Sequence, residues 1–176
     1  MKRHLLPIAC AIGCLIAPAA SAFAQDTSAQ GGTIQDTTTQ KQQIEVVIEA
    51  FRTSIIEKDK TKFTALLFSE DIPWTSVVTE EPLARMRRKK PEAKRVHPSA
   101  GKGAIEFIDS IVAEKERQEE KFENVRIQTD GSIASVWFDY SYHDGAKKTN
   151  WGKEAWQLVH TDHGWKINSV IWSVTY

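Results

Sequence analysis

The sequence predicts an α+β domain in which helices from the first half of the chain pack on one face of an antiparallel sheet. Three observations carry this. Ile44, Val47, Ile48, Phe51 and Ile55 recur at helical spacing. The last third is a series of short runs rich in β-branched and aromatic residues. Those runs are separated by Asp130-Gly131, Asp144-Gly145 and Asp162-His163-Gly164, and Asp-Gly between alternating apolar runs marks a hairpin. Helices followed by a meander of strands give an α+β layout.

The first 24 residues stand apart from that domain. Lys2, Arg3 and His4 precede an apolar run, which ends in the small-residue pattern Ala22-Phe23-Ala24. This reads as a signal peptide over residues 1–24, cut after Ala24, which implies a periplasmic or secreted protein with no stable membrane anchor after cleavage. Both cysteines, Cys10 and Cys14, lie in that leader. The mature chain would then have no disulfide, thiolate metal site or cysteine nucleophile. It would carry 21 basic and 23 acidic residues over 152 positions, near neutrality and of a size for one domain.

Residues 25–38 are polar, with Ile34 as the one large apolar side chain, and are expected to form a flexible linker. The domain is placed at 39–176, opening on Thr39 and Gln42 at capping-box spacing. A shorter helix is expected over 60–68, with Phe63, Leu66 and Leu67 on one side. Pro73 precludes a helix interior, and Trp74 to Thr79 reads as a short strand. Residues 80–103 hold three prolines and two glycines and are expected to be an irregular basic loop. A third helix is expected from Lys102 to Gln118, through Ile105, Ile108, Ile111 and Val112. Strands are expected at 122–129, 133–143, 153–161 and 165–175.

This order, with "IASVWFDYSY" in a long central strand and "LVHTDHGWKINSVIWS" near the end, resembles the NTF2-like superfamily, in its SnoaL-like and ketosteroid-isomerase-like branch. The carrying residues are Leu158-Val159, Gly164, Trp165-Lys166-Ile167 and Trp172-Ser173. The resemblance implies a cone: a curved sheet wrapped around three N-terminal helices, with a pocket at the open end. It implies no single activity, because members include isomerases, dehydratases, cyclases and binding proteins.

Several residues are candidates for a site. His160-x-Asp162-His163 has the residue types of a metal site, but zinc needs three or more converging ligands on rigid elements. The pattern reads better as a hairpin turn, so no metal and no cofactor are expected. In the central strand, alternation puts Ala134, Val136, Phe138, Tyr140 and Tyr142 on one face and Asp139 on the other. Isomerase members use Tyr and Asp, so the resemblance implies Tyr140, Tyr142, Asp139, Asp71 and His160 as catalytic candidates. A phenol stabilises a developing enolate and a carboxylate moves the proton. Asp139 would need a bulge to reach the face of Tyr140. Trp74, Phe138, Tyr140, Tyr142 and Trp156 are the expected ligand-pocket residues, with Glu154 a further candidate.

The last strand is apolar on both alternating faces, with Trp165, Ile167 and Ile171 on one and Val170, Trp172 and Val174 on the other. A strand of that kind is covered on both sides, which predicts a homodimer through the outer sheet face. Arg85, Arg87, Arg88, Lys89, Lys90, Lys94, Arg95 and Lys102 form the basic run. It is either a solvated loop or an anion-attracting lid over the pocket. It lacks the interleaved aromatics of a single-strand binder, so no nucleic-acid partner is expected. The functional expectation is an exported domain binding a small, mostly apolar ligand in its cone. The alternatives are a cofactor-free lyase or isomerase on a small hydrophobic substrate, or an envelope interaction module acting through the basic loop.

Overall fold

The computed structural model describes residues 28–99 and 101–176, with side chains from Thr37 onward. The expected signal peptide and its cut after Ala24 lie outside the described residues. Four helices and six strands follow in the order α1 (Ser28–Glu57), α2 (Lys60–Ala65), β1 (Trp74–Val78), α3 (Glu80–Lys89), β2 (Val96–Pro98), α4 (Gly103–Ala113), β3 (Gln118–Thr129), β4 (Ile133–Asp144), β5 (Lys147–Thr161) and β6 (Gly164–Val174). One sheet holds all six strands in the order β2-β1-β6-β5-β4-β3. It is antiparallel apart from the β1–β6 pair. The sheet is curved and does not close.

Helix α1 buries the expected stripe of Ile44, Val47, Ile48, Phe51 and Ile55. It begins at Ser28, within the expected linker, so Thr39 and Gln42 lie inside the helix and do not cap it. Once the apolar stripe is docked the nucleation cost has been met, and each further residue adds one backbone hydrogen bond. No proline between 25 and 44 stops it. Helix α2 is capped by Asp59, whose carboxylate accepts from the Lys62 N–H at 2.8 Å.

The basic stretch is largely ordered, not irregular. Pro82 sits in the first turn of α3, where its missing N–H costs no hydrogen bond. Pro82 and Leu83 are buried, Glu80 and Glu81 occupy the first turn, and Arg87, Arg88 and Lys89 the last. That distribution complements the helix dipole. A proline's position within a helix, not its presence, decides what it does.

Helix α4 stops at Ala113, and β3 starts at Gln118, four residues before the expected strand. The inner face of the sheet then presents Phe138, Trp156 and Phe122 against Phe51 of α1. Ring centroids lie 4.7 Å apart for Phe51–Trp156 and 5.1 Å for Phe138–Trp156. Such aromatic pairs add about 1 kcal/mol each beyond area burial.

One irregularity corrects the reading of the last strand. Leu158 pairs with Ile167 but Gln157 pairs with Ser169, so Asn168 is an extra residue on β6. A bulge of this kind inverts the alternation beyond it. Trp165, Ile167 and Val170 are therefore all buried on the inner side, followed by partly buried Trp172 and Val174. The outer face of β6 keeps one large apolar residue, Ile171, which is 50% exposed. Double-sided burial of β6 is not required, and the apolar surface left on this outer row is Ile171 and, across Ala155, Trp137, 49% exposed.

Candidate functional site

A cavity of about 400 Å³ opens between the sheet and helices α1 and α4. Its walls are mainly aromatic: Phe51, Trp74, Phe107, Tyr140, Tyr142, Trp172 and Tyr176. The strand registers explain how they converge. Trp74 and Ser76 of β1 point inward opposite Val170 and Trp172 of β6. Tyr140 and Tyr142 point inward from β4, as alternation predicts. Phe107 comes from α4, 5.6 Å from Trp74 and 6.2 Å from Tyr142 between ring centroids.

Two carboxyl groups share this cavity, Glu120 of β3 and Glu154 of β5, each 4% exposed. Glu120 is the cross-strand neighbour of Tyr142, and Glu154 that of Phe138 and Trp172. They hydrogen-bond to one another. Trp156 donates its indole N–H to Glu154 Oε1 at 2.5 Å. Burial pushes Glu154 up to about 7, against the opposing pull of the Trp156 and Glu120 hydrogen bonds. Burial, then the charge of Glu154, pushes Glu120 well above the ordinary carboxylate range. One proton shared between the pair is the arrangement that these causes favour, with Glu120 donating and Glu154 accepting.

Both phenols are held neutral. Burial raises Tyr140 and Tyr142 far above the ordinary tyrosine value, and the nearby glutamates add to it. Tyr140 donates to the main-chain carbonyl of Ser173 at 3.1 Å. That carbonyl is free because the β5–β6 ladder lapses there. Regular pairing ends at Glu154–Trp172 and resumes at a Trp151–Thr175 bridge. Between them, Lys153 donates its N–H to the Ser173 hydroxyl at 2.9 Å instead of to a carbonyl. Gly152 makes this possible, since a Cβ there would overlap the Ser173 carbonyl oxygen. The Tyr142 hydroxyl makes no hydrogen bond among the described residues and is available to a ligand.

Of the expected catalytic residues, Tyr140 and Tyr142 reach the cavity and three do not. Asp139 lies on the outer face, paired with Lys153 and accepting from Asn124 at 2.7 Å. β4 and β5 run without a bulge through this point, so alternation holds. Asp71 sits in an exposed turn and accepts from Ser69 at 2.6 Å. Its carboxyl is held below the usual range mainly by that bond. His160 is exposed and stacks on Trp165, centroids 4.7 Å apart, with no part in the cavity lining. Of the expected pocket residues, Trp74, Tyr140 and Tyr142 line the cavity. Phe138 and Trp156 are fully buried behind it, and Trp156 acts through its hydrogen bond to Glu154.

Glu120 escaped the sequence reading. Glu120 falls between the expected helix end at Gln118 and the expected strand start at Phe122, and only the early start of β3 turns it inward. The signal available was parity: Gln118, Glu120 and Phe122 alternate toward the core. No residue of the basic stretch lines the cavity. Its link to the site is indirect, because Arg85 binds the main-chain oxygen of Tyr176 and the Tyr176 hydroxyl meets Met86 Sδ at 3.1 Å. Among the described residues no three His, Cys, Asp or Glu side chains are placed to hold a metal, and no helix is long and apolar enough to cross a membrane.

No family model and no curated protein matches the chain. Solved structures do. An NTF2-like protein of Novosphingobium aromaticivorans with a cystatin-like fold superposes with a TM-score of 0.60 at 12% identity, covering 85% of this chain and 91% of its own. A candidate scytalone dehydratase from the same organism gives 0.60 at 14%, covering 81% and 89%. A protein of unknown function from Mycobacterium tuberculosis gives 0.56 at 15%, covering 78% and 77%. At these identities the likeness carries the architecture and not the activity. Helices seated in a curved, unclosed six-stranded sheet, shared over most of each chain with proteins of that kind, give this protein the NTF2-like cone fold.

Proposed function

We propose that the chain is an exported binding domain that takes a small, mostly apolar ligand into the cone cavity, with the ligand's polar group directed at Glu120 and Glu154. The observation that carries this reading is the cavity's make-up. It has a volume typical of small-molecule sites, walls of rings, and one buried polar pair. Titrating the purified protein with small aromatic compounds while following tryptophan emission tests it, because Trp74 and Trp172 both line the cavity. Native mass spectrometry after gentle purification adds a search for a retained ligand. A cavity that takes up no such compound and retains none counts against the reading. Export is tested separately by N-terminal sequencing of the secreted chain, expected to begin at Gln25.

A second reading, proton-transfer catalysis without a cofactor, is favoured by one observation. Glu154 is a buried carboxyl with a proton affinity near neutrality, in the same cavity as the unengaged hydroxyl of Tyr142. A base is most effective when its pKa lies near the working pH. Glu154 would take a proton from carbon next to a substrate carbonyl, and Tyr142 would donate a hydrogen bond to the carbonyl oxygen as charge develops there. The proton would then return to another carbon, or leave with a hydroxyl as water. Exchange of substrate C–H for deuterium, lost in Glu154→Gln, is the outcome that this reading requires.

A further inference from the structure

We propose that the cavity selects an organic cation, an amine or quaternary ammonium, whose nitrogen sits between the carboxyls of Glu120 and Glu154 and an arc of four aromatic rings. The proposal rests on the pocket reading above and names the class of ligand.

The arc is defined by the rings themselves. Trp172 lies 5.5 Å from Trp74, Trp74 lies 5.6 Å from Phe107, and Phe107 lies 6.2 Å from Tyr142. Its two ends are fixed to the glutamates by strand pairing: Trp172 is opposite Glu154, and Tyr142 is opposite Glu120. Carboxyls and aromatic rings therefore border one space. Both attract a cation, the carboxylates by charge and the rings through their quadrupoles, and both attractions strengthen away from water.

The second observation is an imbalance. Among the described residues no Lys, Arg or His lines the cavity, and no cation acts on either glutamate. Glu120 is more than nine-tenths buried, faces the cavity and has Glu154 as its one hydrogen-bond partner. Buried carboxyls are ordinarily paired with a base or a metal. Here a shared proton does that work, and a ligand ammonium would supply the missing partner. An anionic ligand would add a second negative charge beside the pair, and a neutral one would leave the pair's charge uncompensated.

The shared proton also sets a pH dependence. The other titratable groups lining the space are the phenols of Tyr140 and Tyr142 on β4 and of Tyr176. α1, α4 and β1 contribute Phe51, Phe107, Ser110, Trp74 and Ser76, none of which titrates. Outside the lining, Asp144 and Glu114 act on Tyr142. A cation competes with the proton on the dyad, so its affinity falls as the pH drops below the range in which Glu154 ionises.

Isothermal titration of the purified chain with benzyltrimethylammonium, benzyl alcohol and phenylacetate tests this at about pH 8 and about pH 5.5. The cation is expected to bind about tenfold or more tightly than the alcohol at the higher pH, with the preference shrinking about tenfold at the lower. The double variant Glu120→Gln/Glu154→Gln is expected to keep the alcohol and lose the preference. Alcohol or phenylacetate binding as tightly as the cation overturns the proposal while leaving the pocket reading intact. Absence of binding by all three overturns both. The comparison among ligands on the wild-type chain decides the matter even where the double variant does not fold.

Discussion

Replacing both Glu120 and Glu154 by glutamine should change how stability depends on pH, in a direction opposite to ordinary acid denaturation. Glu154 moves from 4.5 in the unfolded chain to about 7 in the fold, chiefly through burial. A raised carboxyl pKa means that the folded protein holds a proton which the unfolded chain has already released. That contribution is fully present below about 4.5 and is lost as the pH rises through 7. At about 1.4 kcal/mol per pH unit, the displacement corresponds to about 3 kcal/mol. Glu120 acts in the same sense, raised by burial and by the charge of Glu154. Glutamine keeps the shape and can still accept from the Trp156 indole, but it cannot ionise. Urea unfolding from pH 4.5 to 8 should show the wild type losing about 3 kcal/mol relative to the double variant across that span. Surface carboxylates such as exposed Asp130 and half-buried Asp139 are pulled below their ordinary values and act the other way, toward acid. They are common to both proteins and drop out of the difference. Two stability curves running parallel across the range would show that the dyad is not desolvated as the structure has it.

Gly152→Ala forces a methyl group onto the Ser173 carbonyl and should cost about 2 kcal/mol or more by chemical denaturation, since backbone, not a flexible side chain, has to move. Tyr140→Phe removes the hydroxyl that satisfies that same carbonyl and should cost about 1 kcal/mol while leaving the far-ultraviolet circular dichroism unchanged. Asp139→Asn and His160→Ala lie outside the cavity and should leave ligand affinity as it is, measured by the same titrations that respond to Tyr142→Phe. We propose that two copies associate through the outer face around Trp137 and Ile171. Light scattering should then give a dimer for the wild type and a monomer for Trp137→Lys, and a monomeric wild type rejects the association.

The sequence made the core legible and the chemistry less so, for one physical reason. Side-chain alternation and helical period are local, and they placed Phe51, Phe138, Tyr140 and Trp156 correctly. They also placed Asp139 on the outer face, against the catalytic candidacy that the sequence resemblance implied. What failed were the points where tertiary contacts shift a boundary or a register. The bulge at Asn168 turned an apparent two-sided strand into a one-sided one. The early start of β3 brought Glu120 out of the expected helix–strand connection and made it a buried acid. Both are errors of register, and in a strand one residue of register is the difference between water and the interior.

That same sensitivity bears on why the cavity holds two glutamates. Two buried carboxyls without a base cost stability, and glutamine or leucine in either position would relieve it. The fold goes further and secures them. Trp156 spends its one donor on Glu154, and the Gly152–Ser173 lapse in the ladder lets Tyr140 lie against the pair with its hydroxyl satisfied elsewhere. On the proposed reading, a polar pair held by these contacts and facing a space walled by rings is there to meet a ligand. Packing the cone needs no such pair, and the proposed role of orienting a ligand's polar group is what would account for it.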